Sequence, residues 1–213
     1  MHEAVDLLEA ARDAAPAERL AVCQKAITSA VAVILKADDS SGVIGDAVRR
    51  LLSWHPQFAA EAQPAVARLV DWLIKFQFDG KQDFFEIDPV AYAPALGELG
   101  LKRYRDQLQR LRDELGPEPA ERDRWTAPGR HTRFALDWNA QRLAVLDRDV
   151  DAIIATHARD RAMPAWLHDT AKALAEIDRP DLAIDWAKLA TDHGNGHQSL
   201  QAADYWCALR AAR

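Results

Sequence analysis

One stripe constrains this chain more than any other feature: Val43, Ile44, Ala47, Val48, Leu51 and Leu52 recur at i, i+1, i+4, i+5, i+8 and i+9. That spacing gathers all six on one face of a helix and does not fit the two-residue period of a half-buried strand. Asp39, Ser40 or Ser41 stands where a cap is wanted. Leu20, Cys23, Ile27, Val31 and Ile34 form a second stripe, opened by Pro16. Val66, Leu69, Val70, Leu73, Ile74 and Phe76 form a third, entered through Pro64. Proline costs little at a helix start, where the N–H it lacks has no intrahelical acceptor. Alanine is very abundant, Arg greatly outnumbers Lys and Gly is scarce at 9, a mixture that favours helices, and no segment alternates strictly enough for a sheet. The expected class is all-α.

The rhythm breaks after Phe76. Phe78-Asp79-Gly80 ends a helix, Asp83 to Asp88 reads as an acidic aromatic connection, and Asp88-Pro89 supplies a cap and a first turn. Gly97 and Gly100 are expected to end a short segment. Leu101, Tyr104, Leu108 and Leu111 then carry a helix to about Leu115, before the cluster Gly116-Pro117-Glu118-Pro119, the best domain boundary in the chain. Beyond it the helices shorten. They read as Arg133 to Leu146, Asp149 to Arg159, Ala165 to Ile177, Asp181 to Asp192 and Ser199 onward, joined by short turns into hairpins.

From Pro164 to His197 the sequence resembles one tetratricopeptide repeat, whose period is about 34 residues. Ala183 and Ala190 fall on the paired alanines of that motif, Ala171 on the small crossing position, and Leu174 and Ile177 on the large packers. Thr170 replaces the usual Leu, and Asn195 stands in place of a terminal proline, so the repeat is degenerate. At larger scale three segments resemble an uncharacterised bacterial family of helical proteins. They are Gly42 to Leu52, Phe78-Asp79-Gly80 through Asp83-Phe84-Phe85-Glu86-Ile87-Asp88, and Tyr92 to Gly97. That family is itself similar to the region following SWIM-type zinc fingers. The resemblance implies a fold and no activity, and the Cys-x-Cys and Cys-x-His pairs of the finger are absent. The expected organisation is a helical bundle over 1–115, a linker over 116–130 and TPR-like hairpins over 131–213, stacked as a short α-solenoid. The helix from Ser199 lacks a following mate, so the array is expected to be truncated at its C-terminus or completed by a partner.

Composition narrows the function. A net charge of −6 gives no overall pull toward nucleic acid or anionic lipid. No apolar run approaches the roughly 18 residues that span a bilayer, and Met1-His2-Glu3 does not open a signal peptide. The expected location is the cytoplasm. The two cysteines, Cys23 and Cys207, are too few for a disulfide framework. There is no nucleophile elbow, P-loop or dinucleotide fingerprint.

Each candidate site has a structural explanation. Asp79, Asp83, Glu86 and Asp88 crowd together, but the spacing fails a calcium loop, because Phe84 occupies the glycine position and Val90 the final glutamate. Caps and a solvated connection account for them. His193 and His197 flank Gly194-Asn195-Gly196; two glycines argue against the helix that would offer both imidazoles to one metal, and a hairpin turn with a glycine-assisted helix stop explains the residues without one. His55, His131, His157 and His168 lack ligand-spaced partners, and Cys23 lies on an apolar stripe. The segment 102–133 holds nine basic against six acidic residues, including Arg103 and Arg110, and reads as a salt-laced solvated face. The leading expectation is a non-catalytic cytoplasmic scaffold for a protein or peptide, with no catalytic residue, cofactor or metal. The alternative is a nucleic-acid-associated accessory module using segment 102–133. Trp206 is expected to pack inward onto the Asp181 to Asp192 helix, with Tyr205 or Leu209 bordering an apolar patch for a partner or weak self-association. Arg103, Arg110, Tyr205 and Leu209 are therefore the candidate partner-binding residues.

Overall fold

The computed structural model describes residues 14–36, 39, 42–79, 84–123, 126–194 and 196–211. Among them the regular structure is helical throughout, so the fold is all-α. Packing divides the chain into two compact units, one reaching Leu136 and the other beginning at Asp137. No helix among the described residues is long and apolar enough to cross a membrane.

The N-terminal unit contains α1 (Pro16–Ile34), α2 (Val43–Ala62), α3 (Val66–Phe78) and α4 (Pro89–Leu115), and takes in the first turns of α5 (Arg130–Leu146). α1 packs on α2, and α4 on both α2 and α3. Cys23, Ile27, Val48, Leu51, Leu69, Leu73, Leu96 and Tyr104 build the core. The opening stripe buries Ala47, Val48 and Leu51 but leaves Val43, in the first turn, 40% exposed. Asp39 caps α2 from a distance, its carboxylate accepting the N–H groups of Ile44 at 3.0 Å and Gly45 at 2.8 Å. The other two candidate caps, Ser40 and Ser41, lie outside the described residues. α2 then continues past its stripe, through Pro56, to Ala62.

Asp88 caps α4 by accepting the Val90 N–H at 3.0 Å, with Pro89 opening the first turn. Gly97 (φ 57°, ψ −174°) kinks α4 in a conformation that side chains resist. Gly100 does not end a segment as expected. It is buried in the second half of α4, where a Cβ would lie 2.9 Å from Leu96 Cβ and 3.1 Å from Val66 Cγ1. Its glycine serves close approach rather than a turn. The segment after α4 stays with this unit because Arg133 ties it down. The guanidinium donates to the carbonyls of Leu115 (2.8 Å) and Pro117 (3.0 Å) and pairs with Glu118 (3.1 Å), satisfying a carbonyl that the end of α4 orphans.

In the C-terminal unit, α6 (Val150–Ile153) widens into a π-helical turn over Ile154–Ala158, followed by α7 (Pro164–Glu176), α8 (Pro180–Asp192) and α9 (His197–Ala211). Asp149 caps α6 through the Ala152 N–H at 3.0 Å. At the wide turn the Thr156 hydroxyl donates to the Ala152 carbonyl at 2.7 Å, while Gln141 Nε2 donates to the Thr156 carbonyl at 3.1 Å. Side-chain bonds of this kind support a locally opened ladder. α7 packs on α8, α8 on α9, and α9 also reaches α7. Ala171, Ala183, Ala187, Ala190 and Ala202 are all 0% exposed, with Leu167 and Leu174 filling the space between. Thr170 is buried too, its hydroxyl satisfied by the Trp166 carbonyl at 2.7 Å. The fully buried positions of α9 are Ser199 and Ala202. Trp206 is half-buried, with the Arg210 guanidinium 5.4 Å from its ring centre.

Candidate functional site

The N-terminal unit holds a cavity of about 310 Å³. α1 and the residue that closes it contribute Thr28, Val31, Ala32 and Leu35; α3 and its closing residue contribute Trp72, Lys75, Phe76 and Asp79. Both sets recur at i, i+3, i+4 and i+7, so one face of each helix forms a wall. Leu35 and Asp79 are the C-cap residues of α1 and α3, so both helices end at this cavity.

Behind the α3 wall runs a ladder of rings. His55 stacks on Trp72 with centroids 4.2 Å apart and planes at 17°, and Trp72 stacks on Phe76 at 5.3 Å and 15°. His55 is 0% exposed, and its Nδ1 lies 2.7 Å from the Tyr92 hydroxyl, itself buried. His55 Nε2 is buried and has no hydrogen-bond partner among the described residues. Burial pushes the His55 pKa down to about 4, so the ring is neutral at pH 7. The same burial raises the Tyr92 phenol well above its ordinary value. A second buried pair joins Gln77 Nε2, which donates to the Tyr104 hydroxyl at 2.8 Å and the Leu73 carbonyl at 3.1 Å. Cys23 donates its thiol to the Leu51 carbonyl at 3.6 Å, and burial pushes it up to about 12, far from a reactive thiolate.

In the C-terminal unit the first helix of the α7–α8 hairpin meets α9 through His168 and Tyr205, whose ring centroids are 5.1 Å apart with planes at 52°. Tyr205 and Leu209 are both half-buried. Nearby in sequence, the buried His157 sits in the π turn and donates from Nδ1 to the Ile153 carbonyl at 3.0 Å, which leaves Nε2 as its acceptor nitrogen. Arg142 grips Glu176 with two hydrogen bonds, of 2.8 and 2.6 Å. That grip holds the Glu176 carboxyl below its ordinary range.

The four residues singled out for partner binding divide between the units. Arg103 is exposed and paired with Asp71 at 3.1 Å, and Arg110 is exposed on the same helix. Tyr205 and Leu209 lie on α9. Of the acidic set, Asp79 ends α3, Asp88 caps α4 and Glu86 is exposed, while Asp83 lies outside the described residues. His193 Nε2 donates to the Arg161 carbonyl at 3.1 Å, and His197 is the first residue of α9. No group of three or more His, Cys, Asp or Glu among the described residues could hold a metal ion. Sequence reasoning overlooked Trp72 and passed over His55 as packing. The signal available was the i, i+4 pair Trp72 and Phe76 on a helix whose other face is aliphatic.

A family model matches residues 3–211. The chain belongs to a family of unknown function (DUF6880). The match covers both units, so membership extends over the whole architecture described above. No curated protein and no solved structure matches the chain. The family therefore supplies kinship without chemistry, and function has to be argued from the sites.

Proposed function

We propose that this protein is a non-catalytic cytoplasmic scaffold whose C-terminal unit is a short TPR-like array holding a protein or peptide partner. One observation carries the reading: α7, α8 and α9 pack on one another through wholly buried alanines, with α9 returning to α7. Helices that stack in this way present the first helix of each hairpin as a continuous surface. Here those are α7 and α9, and the residues that meet on them are His168 and Tyr205. A common ancestry with the region that follows SWIM-type zinc fingers belongs to the same proposal.

A nucleic-acid role for segment 102–133 has less support. Lys102 is paired with Asp106, Arg103 with Asp71, Arg122 with Asp123 and Arg133 with Glu118. Charges so engaged release few counterions on meeting phosphate.

Capture of partners with the whole chain, followed by cross-link mapping, tests the scaffold. The expected contacts fall on α7 and α9, and a His168→Ala/Tyr205→Ala double variant that keeps its melting temperature should lose the partner. Retention of the same partner by that folded variant would refute the reading. A salt-sensitive gel shift with generic DNA or RNA at physiological ionic strength would favour the alternative.

A further inference from the structure

Arg159 and Arg161 stand two positions apart in the turn that leads from the π-helical segment into α7, and both have positive φ, 49° and 61°. Side chains resist that region, so the turn is held by its contacts rather than by local preference. The Arg161 N–H donates to the Ala158 carbonyl at 2.7 Å, the Arg161 carbonyl accepts from His193 Nε2 at 3.1 Å, and the Asp160 carboxylate accepts the Ala162 N–H at 3.0 Å. The two guanidinium groups lie over indoles. Arg159 is 5.0 Å from the ring centre of Trp166 on α7, and Arg161 is 5.1 Å from that of Trp186 on α8. Trp186 in turn packs on the buried cluster of Ala158, Leu167, Ala190 and Ala202.

Elsewhere in this unit guanidinium groups meet carboxylates: Arg142 with Glu176, Arg148 with Asp178, and Arg179 with Asp181. The exposed Arg161 instead has only the Trp186 ring as its side-chain contact among the described residues. Arg159 has a carboxylate, Asp137, no nearer than 3.8 Å. Acidic residues close by in sequence are engaged elsewhere, Asp160 on the Ala162 N–H, Asp169 with Lys172 and Asp192 with Lys188. A guanidinium over a ring keeps its in-plane N–H groups for an acceptor, and their fork matches the two oxygens of a carboxylate.

The attraction is local. Residues 137–213 hold twelve acidic against nine basic residues, so the unit as a whole repels anions. A phosphate backbone would meet a unit of its own sign, and bases would compete with the guanidinium groups for the indole faces. Short carboxylate side chains need only the turn itself.

We propose that Arg159 and Arg161, held over Trp166 and Trp186, dock an acidic segment of a protein partner by receiving its carboxylates. This names the chemistry of the peptide and rests on the scaffold reading above, but the contact lies at the entrance to α7 rather than at His168 and Tyr205.

The test uses the whole chain and dye-labelled peptides of alternating Gly and Glu or alternating Gly and Gln, followed by fluorescence anisotropy at pH 7 and physiological ionic strength. The Glu peptide should bind about tenfold more tightly than the Gln peptide. An Arg159→Gln/Arg161→Gln variant should lose that preference, and Arg159→Lys/Arg161→Lys, which keeps the charge but not the fork, should bind the Glu peptide at least about threefold more weakly than the wild type. Melting temperatures establish that both variants fold. Binding of the Glu peptide when no partner is captured on α7 and α9 would support this site while the scaffold reading failed; a captured partner with no binding of the Glu peptide would overturn the site alone. Equal affinity for the two peptides, undiminished binding by either folded variant, or tighter binding of a generic single-stranded RNA than of the Glu peptide would also overturn it.

Discussion

Because His55 is buried as a neutral ring, it should make the N-terminal unit sensitive to mild acid. Its pKa falls from 6.5 to about 4 on folding, through burial, so between those values the unfolded chain binds the proton that the folded chain refuses. Stability must therefore rise with pH across that window. The contribution is fully present above pH 6.5, declines as pH falls below it, and is exhausted near pH 4. At pH 5 the loss relative to pH 7.5 amounts to about 2 kcal/mol from this residue alone. His55→Phe isolates it. The variant keeps a ring on Trp72 but cannot titrate, and it leaves the Tyr92 hydroxyl without its nitrogen partner at 2.7 Å. That orphaned hydroxyl should cost about 1–3 kcal/mol at pH 7.5. At pH 5 the wild type has lost its own share, so the gap between the two proteins should shrink by about 2 kcal/mol. His157, His168 and the carboxylates titrate in both proteins and cancel in the difference. Urea unfolding of both at pH 7.5 and pH 5 reads the gap directly. A cost of substitution that is the same at both pH values would refute the reasoning, because it would mean that His55 titrates normally in the fold.

Three further outcomes are expected. Leu51→Ala should cost about 2–5 kcal/mol in urea unfolding, because Leu51 is only 2% exposed on the α2 stripe, with Cys23 of α1 bonded to its carbonyl; a loss below about 0.5 kcal/mol would contradict the core assignment. Gly97→Ala should lose about 1–2 kcal/mol, since φ is 57° at the α4 kink; an unchanged midpoint would mean that the chain does not bend there. In the native protein a thiol reagent should modify Cys207, which is exposed, while Cys23, buried and pushed up to about 12, reacts only on unfolding. Equal fast modification of both would show that α1 opens readily.

The apolar period made the helices legible. Pro16 and Asp88-Pro89 marked starts, Gly97 a break, and Ala171, Ala183 and Ala190 the close contacts of the C-terminal hairpins. Local physics stopped short where a residue answers to something distant in sequence. Gly100 reads as a terminator until the side chain of Val66 is placed against it. Val43 fits the α2 stripe by angle but lies in a first turn that nothing covers fully, and it remains 40% exposed. The ring ladder was invisible for the same reason, because His55, Trp72 and Tyr92 come from three helices and share no spacing rule. Arg133 belongs to the same class: its carbonyl acceptors lie 16 to 18 positions upstream, so the end of α4 at Gly116 could be read from composition while the tie across it could not.

The π turn at Ile154–Ala158 has a consequence for how this lineage can change length. A wide turn accommodates one residue more than a regular helix over the same rise, and each residue advances a helix by about 100°. Deleting a single residue there would close the turn to an ordinary helix and leave the residues beyond it in phase, whereas deleting one from Val150–Ile153 would rotate everything up to the next connection by that angle. In the second case His157 and Ala158, now buried, would swing away from α7. Loss of one residue should therefore be tolerated better inside the wide turn than in the regular turn just before it. The extra residue is slack that the C-terminal unit can give up without losing step.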